Sequence, residues 1–542
     1  MVFRFPALVL APLVGSLLAL GPALHAAAPA VASAREIAPG PFKPNWNSLA
    51  LYSAPEWFRD AKLGIWARWS PQSVPEQGDD YARSLYVVTD PRTQRTNPVY
   101  SWHVEHYGHA SKFGFKDLIP LWKAEAWAPE KLVALFQRAG ARYFVALAND
   151  RDNFDCYDSK YQPWNSVALG PKQDLVAGWA TAARAAGLRF GVSVHAAAAW
   201  SWFEPAQGAD VIGPLSGVGY DGRLGDSDGY GQWWRGLDPA GDLYAQRHRP
   251  GAPPDAAYVT KYFLRTKDLL DRFTPDLVLF GDEGLPLGEA GLNLAAHLYN
   301  SSQAAHAGKV DAVLAAPLAR ADRRAALVTT FERAAPNAPA AEPWLAVTSL
   351  GPWHYKAGQK YRAAADLARQ LVDAVSKNGG LLFDVPLRGN GSLDADETRA
   401  LEELAAWTAV HGEGIFATRP WKIFGEGPSL DAPLTRPGAG IPETAVGLVA
   451  ENRVSYGAQD IRFTQAKDGG TLYAFFLGRP ADGRLLVKAL AKPGALEKRI
   501  ANVSLLGSPE KIAWTQDVAG LRVTLPAALP NDFACALKLT LE

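Results

Sequence analysis

The chain has 542 residues, of which 48% are hydrophobic and 11% aromatic, and its 55 basic side chains are balanced by 55 acidic ones. Because single hydrophobic cores rarely grow beyond about 250 to 300 residues, we expect at least two domains. The balanced charge gives no electrostatic basis for binding nucleic acid or an anionic membrane surface. With ten scattered histidines and no CxxC pair, we expect neither a metal nor another cofactor, although Cys156 and Cys535 could pair in an oxidising compartment.

The amino terminus has the composition of a secretory signal peptide. Arg4 is followed by an apolar stretch and then by small residues at 26–28, where we expect cleavage. A transmembrane anchor is the competing interpretation, but prolines interrupt the stretch and no basic stop-transfer flank follows it. We therefore assign 1–28 to a signal peptide and 29–54 to an extended amino-terminal segment. The predicted protein is periplasmic or secreted, and free of the membrane after cleavage.

Between residues 55 and 415, short apolar runs alternate with amphipathic helical stretches. Helical patterns at 129–140, 175–187 and 363–379 each end in glycine, the usual helix stop. Eight strands alternating with helices predict a (β/α)8 barrel, whereas a doubly wound open sheet would need a glycine-rich phosphate loop that is absent from the sequence. The strand candidates are 64–69, a weak one at 113–119, 142–149, 189–195, 276–282, 311–317, 344–350 and 380–386.

From residue 416 to 542 the sequence changes to short strands with turn signals and little helix. This pattern predicts a β-sandwich domain, and its alternation of polar and apolar residues implies one buried and one solvated face. Such a domain either buttresses a barrel or binds carbohydrate. We expect buttressing.

Polar and aromatic side chains cluster where the predicted barrel strands end, which is where barrel enzymes carry their reacting groups. Carboxylates with tryptophan and without metal-ligand spacing suit glycoside hydrolysis, in which one carboxylate attacks the anomeric carbon and another group protonates the leaving oxygen. Any one of these carboxylates could instead cap the following helix. The strand-end residues are Arg68, Trp69, Asn149, Asp150, Arg151, Asp152, His195, Asp282, Glu283 and Asp384.

Several segments resemble one enzyme family, in order and over essentially the whole mature chain. The family is glycoside hydrolase family 29, the α-L-fucosidase family. The segments are AKLGIWARWSPQSVPEQGDDYARSLY (61–86), RYFVALANDRDNFDCYDSKYQPWNSV (142–167), DLVLFGDEGLPLG (276–288), PWLAVTSLGPWHY (343–355), SKNGGLLFDVPLRGNGSLD (376–394) and IRFTQAKDGGTLYAFFL (461–477).

The resemblance implies a barrel followed by a β-sandwich, retention of anomeric configuration, and a nucleophile at Asp282 within the family's D-x-G-x-P context. It also implies a sugar pocket at the positions that match the family's motifs, and there the chain departs from the family. Arg68, Asp150 and Arg151 replace histidines, and Asp80 replaces a tryptophan. The implied substrate-binding residues are Arg68, Trp69, Asp80, Tyr81, Asp150, Arg151, His195 and Trp353.

The general acid/base is the least defined residue. Many family members have a glutamate directly after the PW of the seventh strand motif, but Leu345 occupies that position here. Glu332 is our first candidate and Glu342 the alternative. Either could instead form a surface ion pair.

These residues predict an exo-acting retaining α-L-glycosidase that acts on a terminal sugar of an oligosaccharide or glycoconjugate. L-Fucose is the family's sugar, and the altered pocket leaves L-galactose, L-glucose or an acidic sugar attracted by Arg68 and Arg151 as alternatives. An ion pair of Asp150 with Arg151, or of Asp152 with Arg68, would neutralise that attraction. The rival hypothesis is a non-catalytic sugar-binding protein. The sequence predicts no oligomeric state.

Overall fold

Eight parallel strands close into a barrel, which confirms the predicted fold class. The computed structural model describes residues 36–281, 284–318, 321–434 and 448–542, so the predicted signal peptide lies outside the described residues. The barrel strands follow one another in chain order, and the short strand β7 lies outside the barrel sheet. The strands are β1 Leu63–Ala67, β2 Tyr143–Asn149, β3 Arg189–Val194, β4 Leu277–Phe280, β5 Val313–Pro317, β6 Val328–Glu332, β7 Ala334–Ala335, β8 Trp344–Ser349 and β9 Gly379–Asp384.

The helices surround the barrel, and the three predicted from the sequence are confirmed as α6, α7 and α11. Helix α7 begins where the Asp174 carboxylate accepts the backbone N–H of Ala177 at 2.8 Å. The helices are α1 Trp46–Leu49, α2 Glu56–Ala61, α3 Tyr81–Ser84, α4 Pro98–Tyr107, α5 Phe115–Leu118, α6 Pro129–Arg138, α7 Leu175–Ala185, α8 Ala199–Trp202, α9 Ala256–Phe273, α10 Glu289–Ala305, α11 Ala364–Ser376 and α12 Ala395–His411.

One strand prediction is wrong and one strand was missed. The segment 113–119 contains helix α5 and the start of a 3-10 turn instead of a strand. Its buried residues Phe115, Leu118 and Ile119 have the spacing of a helix. The missing strand of the barrel is β6, which begins with the residues VTTF and is buried over that stretch. Such β-branched and aromatic residues favour strands.

Alternate residues of the strands point into the barrel and fill its centre. Across this interior the indole N–H of Trp66 donates to Ser193 Oγ at 3.0 Å. Glycine is required at position 64, two residues before Trp66 in β1, because a Cβ there would lie 2.1 Å from the ring of Tyr143. The same alternation along β1 turns Arg68 inward at the rim. The inward cluster includes Trp66, Tyr143, Val145, Leu147, Leu277, Leu279, Val313, Val328, Leu345, Val347 and Leu382.

The carboxy-terminal part consists of two antiparallel sheets that enclose an apolar core, as the sandwich prediction requires. The larger sheet has the strand order β10-β12-β13-β18-β15 and the smaller one β14-β17-β16, while β11 pairs with β7. The strands are β10 Thr418–Glu426, β11 Val449–Ala450, β12 Ile461–Ala466, β13 Thr471–Phe476, β14 Arg484–Val487, β15 Ile500–Leu505, β16 Ala513–Asp517, β17 Gly520–Thr524 and β18 Cys535–Leu541.

The expectation of one solvated face is wrong for the larger sheet. In β13, Leu472 and Phe476 face the smaller sheet, whereas Tyr473 and Phe475 belong to the apolar core shared with the barrel helices. On that second face the indole N–H of Trp407 in α12 donates to a backbone carbonyl just before β18 at 2.8 Å. The larger sheet is thus buried on both faces, and this contact supports a buttressing role.

The two cysteines do not pair. Both thiols are free and buried. Cys156 Sγ contacts the carbonyl of Trp69 at 3.7 Å, and Cys535 Sγ contacts the carbonyl of Asn531 at 3.2 Å. In the described ranges, no helix has the length and apolar character needed to cross a bilayer.

A buried ion pair connects the barrel to the larger sheet. Arg462 Nε in β12 lies 2.6 Å from Asp373 Oδ1 in α11, and Lys377 Nζ lies 2.7 Å from Asp373 Oδ2. Arg462 Nη2 also donates to Ser429 Oγ at 2.7 Å. Burial alone would raise the pKa of Asp373, but the two cations lower it. The carboxylate therefore remains charged at this interface.

We expect Arg462→Met to lower the free energy of unfolding by about 3 to 5 kcal/mol, because it leaves the buried Asp373 with one cation only. Urea denaturation followed by circular dichroism measures the change. The matched control is Arg522→Met, which removes an exposed pair with Asp517 at 3.1 Å and should cost about 0 to 1 kcal/mol. Equal losses in the two variants would contradict a structural role for the interface pair.

Candidate active site

A buried ion pair joins the carboxyl ends of β1 and β2. Arg68 donates Nε to Asp150 Oδ2 at 2.9 Å and Nη2 to Asp150 Oδ1 at 2.7 Å. Asp150 is fully buried and Arg68 is 8% exposed. The two parallel contacts are the bidentate geometry of an arginine with a carboxylate. The charge of Arg68 is therefore balanced, but by a partner other than the Asp152 considered from the sequence.

Both oxygens of Asp150 are engaged. Oδ1 also accepts the backbone N–H of Arg151 at 2.8 Å, while Oδ2 lies 3.4 Å from Gln72 Nε2 and 3.1 Å from His354 Nε2. His354 Nε2 makes no well-aligned hydrogen bond within the described ranges, although it lies close to that oxygen. Burial opposes the charged form, but Arg68 and His354 hold the pKa of Asp150 well below its usual range. Asp150 therefore holds Arg68 in place and has no acceptor to spare for a ligand.

His195 presents an uncharged imidazole at the end of β3. It is 4% exposed, it stacks on Trp66 with ring centroids 5.5 Å apart, and neither ring nitrogen has a hydrogen-bond partner in the described part of the chain. Burial first, and then the charges of Arg68 and Arg151, lower the pKa of His195 to about 3. The backbone carbonyl of Asn149 accepts the backbone N–H of His195 at 3.1 Å and fixes the position of this residue. A neutral imidazole offers one donor and one acceptor, which suits a hydroxyl group.

Two tryptophans form an aromatic wall beside the ion pair. The rings of Trp66 and Trp353 have centroids 5.8 Å apart and are inclined by 51°. The guanidinium carbon of Arg68 lies 5.7 Å from the centroid of Trp66 and 5.9 Å from that of Trp353, within cation–π range. Trp353 is half-buried, so part of its surface remains accessible. The predicted binding residue Trp353 thus lies in the same cluster as Arg68 and His195.

Asp384, the last residue of β9, supports Arg68 from below. It accepts the backbone N–H of Arg68 at 2.8 Å and the hydroxyl of Ser349 at 3.3 Å. Burial raises the pKa of Asp384 well above its usual range. This carboxyl therefore retains a proton more readily than an exposed one.

Asp152 is fully buried. Its Oδ2 accepts the hydroxyl of Ser70 at 2.5 Å and lies 3.3 Å from Gln72 Nε2. Burial, with a further contribution from the negative charge of Asp150, raises the pKa of Asp152 to about 7. Asp152 does not pair with Arg68, and its protonation changes near neutral pH.

Arg151 is half-buried, and its Nε has no acceptor among the residues that the structure describes. Its backbone N–H, not its side chain, contacts Asp150. The guanidinium therefore supplies a positive charge that Asp150 does not neutralise. Over the same described ranges, no group of three or more His, Cys, Asp or Glu side chains has the arrangement of a metal site.

Trp69, predicted to bind substrate, is packed into the surrounding core. Trp69 is 2% exposed, donates its indole N–H to the carbonyl of Arg388 at 2.9 Å, and packs edge-on against Trp122 with centroids 4.9 Å apart. Because neighbouring residues alternate across a strand, the inward direction of Arg68 places Trp69 on the outside of the barrel.

Tyr81, also predicted to bind substrate, packs against α4. It is fully buried, and its hydroxyl lies 2.7 Å from His103 Nδ1. The helix α3 turns this side chain towards α4 and away from the cluster around Arg68. Asp80 is exposed and precedes α3 with a left-handed φ of 56°, so its role in binding remains a prediction.

The two acid/base candidates lie at opposite ends of the barrel. Glu332 is the last residue of β6, at the same rim as Arg68, and is exposed. Glu342 is exposed and precedes β8, which begins at Trp344, so it lies at the amino-terminal end of the barrel. Leu345 faces the closed interior. Of the two candidates, Glu332 thus lies at the rim that carries the cluster.

Asp282, the predicted nucleophile, lies outside the described residues. The described neighbours on either side belong to the carboxyl-terminal rim. A Cβ on Gly281 would lie 1.8 Å from the imidazole of His195, so the Gly281 backbone rests directly against that ring. Beyond the gap, the N–H of Gly284 donates to the carbonyl of Pro317, the last residue of β5, at 2.7 Å.

Sequence reasoning missed three contributors to this cluster. Trp66 could have been found from the alternation along β1, because it shares the inward side with Arg68. Gln72 lies in a short 3-10 turn after β1 and His354 in the loop after β8, and no periodic pattern indicates where such side chains will lie. Both reach Asp150 only through the path of the folded chain.

We expect Asp152→Asn to change how stability depends on pH. In the fold the pKa of Asp152 is about 7, whereas the unfolded chain has an ordinary pKa of about 3.9. Between these values the folded state holds a proton that the unfolded state has lost, so this contribution to stability is lost as pH rises. The variant lacks it and should gain in melting temperature, relative to the parent protein, from about pH 5 to about pH 8.

The carboxamide can be accommodated, since it has nearly the size of the carboxylate and its N–H can donate to the Ser70 hydroxyl oxygen, which can accept as well as donate. Melting temperatures of both proteins across this pH range provide the measurement. A constant difference would show that Asp152 does not titrate there.

Comparisons with known proteins place the chain among the α-L-fucosidases. The family model described as alpha-L-fucosidase matches residues 29–413, and the model described as the alpha-L-fucosidase C-terminal domain matches residues 456–541. Rat tissue alpha-L-fucosidase is 24% identical over 525 residues, covering 94% of this chain and 95% of the relative. Human plasma alpha-L-fucosidase is 24% identical over 516 residues, covering 92% of each.

Solved structures show the same fold. Thermotoga maritima alpha-fucosidase in complex with fucose superposes with a TM-score of 0.65 at 23% identity, covering 92% of this chain and 100% of that one. Alpha-L-fucosidase isoenzyme 1 from Paenibacillus thiaminolyticus gives a TM-score of 0.60 at 20% identity, covering 90% and 98%. The match of the family model over the barrel, together with the shared fold, shows that the chain is a glycoside hydrolase of the α-L-fucosidase family, glycoside hydrolase family 29.

Proposed function

We propose that the protein is an exo-acting, retaining glycosidase that removes a terminal α-L-sugar, in the first place L-fucose, from an oligosaccharide or glycoconjugate. The observation that carries the proposal is the cluster at the barrel rim, where the neutral imidazole of His195 lies against Gly281 and stacks on Trp66, which in turn contacts Trp353. Relatives over nearly the full length are named alpha-L-fucosidases.

In the proposed reaction the Asp282 carboxylate attacks the anomeric carbon of the sugar. The bond from that carbon to the leaving oxygen breaks, its electron pair goes to the oxygen, and this oxygen takes a proton from Glu332. The resulting glycosyl ester on Asp282 is then hydrolysed. A water molecule attacks the same carbon, gives a proton to Glu332, and releases the Asp282 carboxylate with the sugar.

Two observations support Asp282 as the nucleophile. Gly281, the residue before it, rests on His195, so the described chain lies at the pocket one residue before Asp282. The alternative that Asp282 caps the next helix loses support, because α10 has Gly288 as its N-cap.

The charge balance of the pocket supports a neutral sugar. Two donor groups of Arg68 form hydrogen bonds with Asp150, and burial keeps His195 uncharged. Hydroxyl groups can donate to and accept from such an imidazole, whereas a carboxylate can only accept. L-Galactose and L-glucose satisfy the same chemistry and remain alternatives to L-fucose.

An acidic sugar is the second candidate, and one observation favours it. The guanidinium of Arg151 is not neutralised by Asp150, and its buried Nε has no acceptor among the described residues. A sugar carboxylate could supply that acceptor in a bidentate contact.

A panel of nitrophenyl α-L-glycosides tests the proposal. The panel contains the fucoside, galactoside, glucoside and a hexuronide, and we expect the highest kcat/KM for the fucoside. Asp282→Ala should reduce turnover of the best substrate by about 10⁴-fold or more, because it removes the attacking group.

Each other outcome has a defined meaning. A preference for the hexuronide would assign the pocket to an acidic sugar through Arg151. Hydrolysis that is unchanged in Asp282→Ala would rule out this nucleophile. Sugar binding without turnover of any panel member would favour the non-catalytic alternative.

Asp150→Asn tests whether the pocket's charge selects the sugar. The change keeps the size of the side chain and removes the charge that balances Arg68. We expect kcat/KM for the neutral glycoside to fall by about 10²-fold, because Arg68 loses its anchor. The hexuronide should lose less, because the pocket gains a positive charge. Asp373→Asn is the matched control, a buried ion-paired carboxylate outside the barrel that should leave the ratio of the two kcat/KM values unchanged. An unchanged ratio in Asp150→Asn would dissociate Arg68 from sugar selection.

We further propose export to the periplasm or the medium after removal of residues 1–28, supported by the signal-like composition of this segment. The division into a barrel at 55–415 and a sandwich at 416–542 is likewise proposed, supported by the change from alternating helices and strands to antiparallel sheets.

A further inference from the structure

A segment from beyond the barrel is bound to the chain that directly follows Glu332. Strand β11 pairs antiparallel with β7, which begins two residues after Glu332. The backbone N–H of Glu451 continues this pairing by donating to the carbonyl of Arg333 at 3.0 Å. The path of the chain after Glu332 therefore depends on residues contributed after the barrel is complete.

The side chain of Glu451 gathers groups from the ends of two barrel strands. Its Oε1 lies 3.1 Å from Arg333 Nη1, and its Oε2 lies 3.2 Å from Arg362 Nη1. Oε2 also accepts from the hydroxyl of Thr348 in β8 at 2.8 Å and lies 3.3 Å from Gln370 Nε2. With only 13% of its side chain exposed, Glu451 is the common anchor of both arginines.

Arg333 connects Glu451 to the pocket. Its guanidinium carbon lies 4.9 Å from the ring centroid of Trp353, which in turn lies beside Arg68. Arg333 also has a left-handed φ of 48°, a conformation that a residue other than glycine keeps only where its surroundings impose it. The contacts of Glu451 and the pairing with β11 are those surroundings.

Glu332 itself is exposed, and no hydrogen bond or ion pair of its carboxylate occurs within the described ranges. No side-chain contact in the described ranges therefore fixes Glu332, and its position depends on the backbone of the residues that follow. We propose that Glu451 is a positioning residue of the active site, which fixes Arg333 and Trp353 and thereby holds the Glu332 carboxylate at the leaving-group side of the pocket. This inference rests on the proposed acid/base role of Glu332.

A displaced proton donor has a characteristic signature. A leaving group of high pKa needs the proton as its bond breaks, whereas an activated one such as dinitrophenolate leaves without it. A loss that grows with leaving-group pKa therefore reports on the donor. General destabilisation of the enzyme lowers the rate for all leaving groups alike.

The experiment compares Glu451→Gln with Glu332→Gln on phenyl, nitrophenyl and dinitrophenyl glycosides of the best sugar. For Glu332→Gln we expect kcat/KM to fall by about 10²- to 10⁴-fold on the phenyl glycoside and little on the dinitrophenyl one. For Glu451→Gln we expect the same order of substrates with a loss of about 10- to 100-fold on the phenyl glycoside. The double variant should resemble Glu332→Gln alone, because both act through one group.

The matched control is Glu413→Gln, which removes the charge of a glutamate bound to Tyr473 at 2.8 Å and to Lys538, at the carboxy-terminal sheet. It should leave the dependence on leaving group unchanged. Losses in Glu451→Gln that are uniform across the three substrates, or additive with Glu332→Gln, overturn the positioning role while the function of Glu332 stands. A uniform effect of Glu332→Gln overturns the acid/base assignment instead, and the route from Glu451 through it.

Arg333→Met provides a second test should Glu451→Gln fail to fold. This change breaks the connection between Glu451 and the pocket, since it removes the cation that contacts both Glu451 and Trp353. We expect the same selective loss on the phenyl glycoside. Unchanged rates on all three substrates would overturn the proposal.

Discussion

The buried pair of Arg68 and Asp150 is the contact on which the rest of the pocket depends. A guanidinium and a carboxylate can remain charged inside a protein only when their geometry and remaining hydrogen bonds offset the loss of water. Here two direct contacts, the backbone N–H of Arg151, the amide of Gln72 and the nearby His354 surround the carboxylate. The pair in turn fixes the guanidinium beside Trp66 and Trp353. Burial, and then the positive charge of the guanidinium of Arg68, also keep His195 neutral.

A closed barrel makes this convergence possible. Its parallel strands bring Arg68, Asp150, His195, Glu332 and Asp384 to one rim, although they are far apart along the chain. The segment around Glu451 then adds a contact that no barrel strand supplies, and the larger sheet covers the helices behind it. The carboxy-terminal part is consequently joined to the pocket by hydrogen bonds as well as by packing. Its buttressing role and the proposed positioning role are two effects of one interface.

Particular elements show how far the sequence could be interpreted. Most barrel strands are continuous apolar runs that end in polar residues, and such runs are recognisable because both faces of a parallel strand are buried. The pattern predicts a weak strand at 113–119, where the buried residues instead have the spacing of a helix. It predicts no strand at β6, because two threonines interrupt the apolar run there. It also failed for the larger carboxy-terminal sheet, because the burial of its second face depends on a partner distant in sequence.

By itself, the sequence determined the barrel class and the family, since these follow from periodicity and from ordered motifs. The tertiary structure decided which residues meet. Trp69 and Tyr81 carry the right chemistry but face away, because strand alternation and helix α3 direct them into the surrounding core. Glu342 lies at the opposite end of the barrel from Glu332, and Asp150, not Asp152, neutralises Arg68. These outcomes depend on direction and distance in space, which a linear pattern of residue types does not contain.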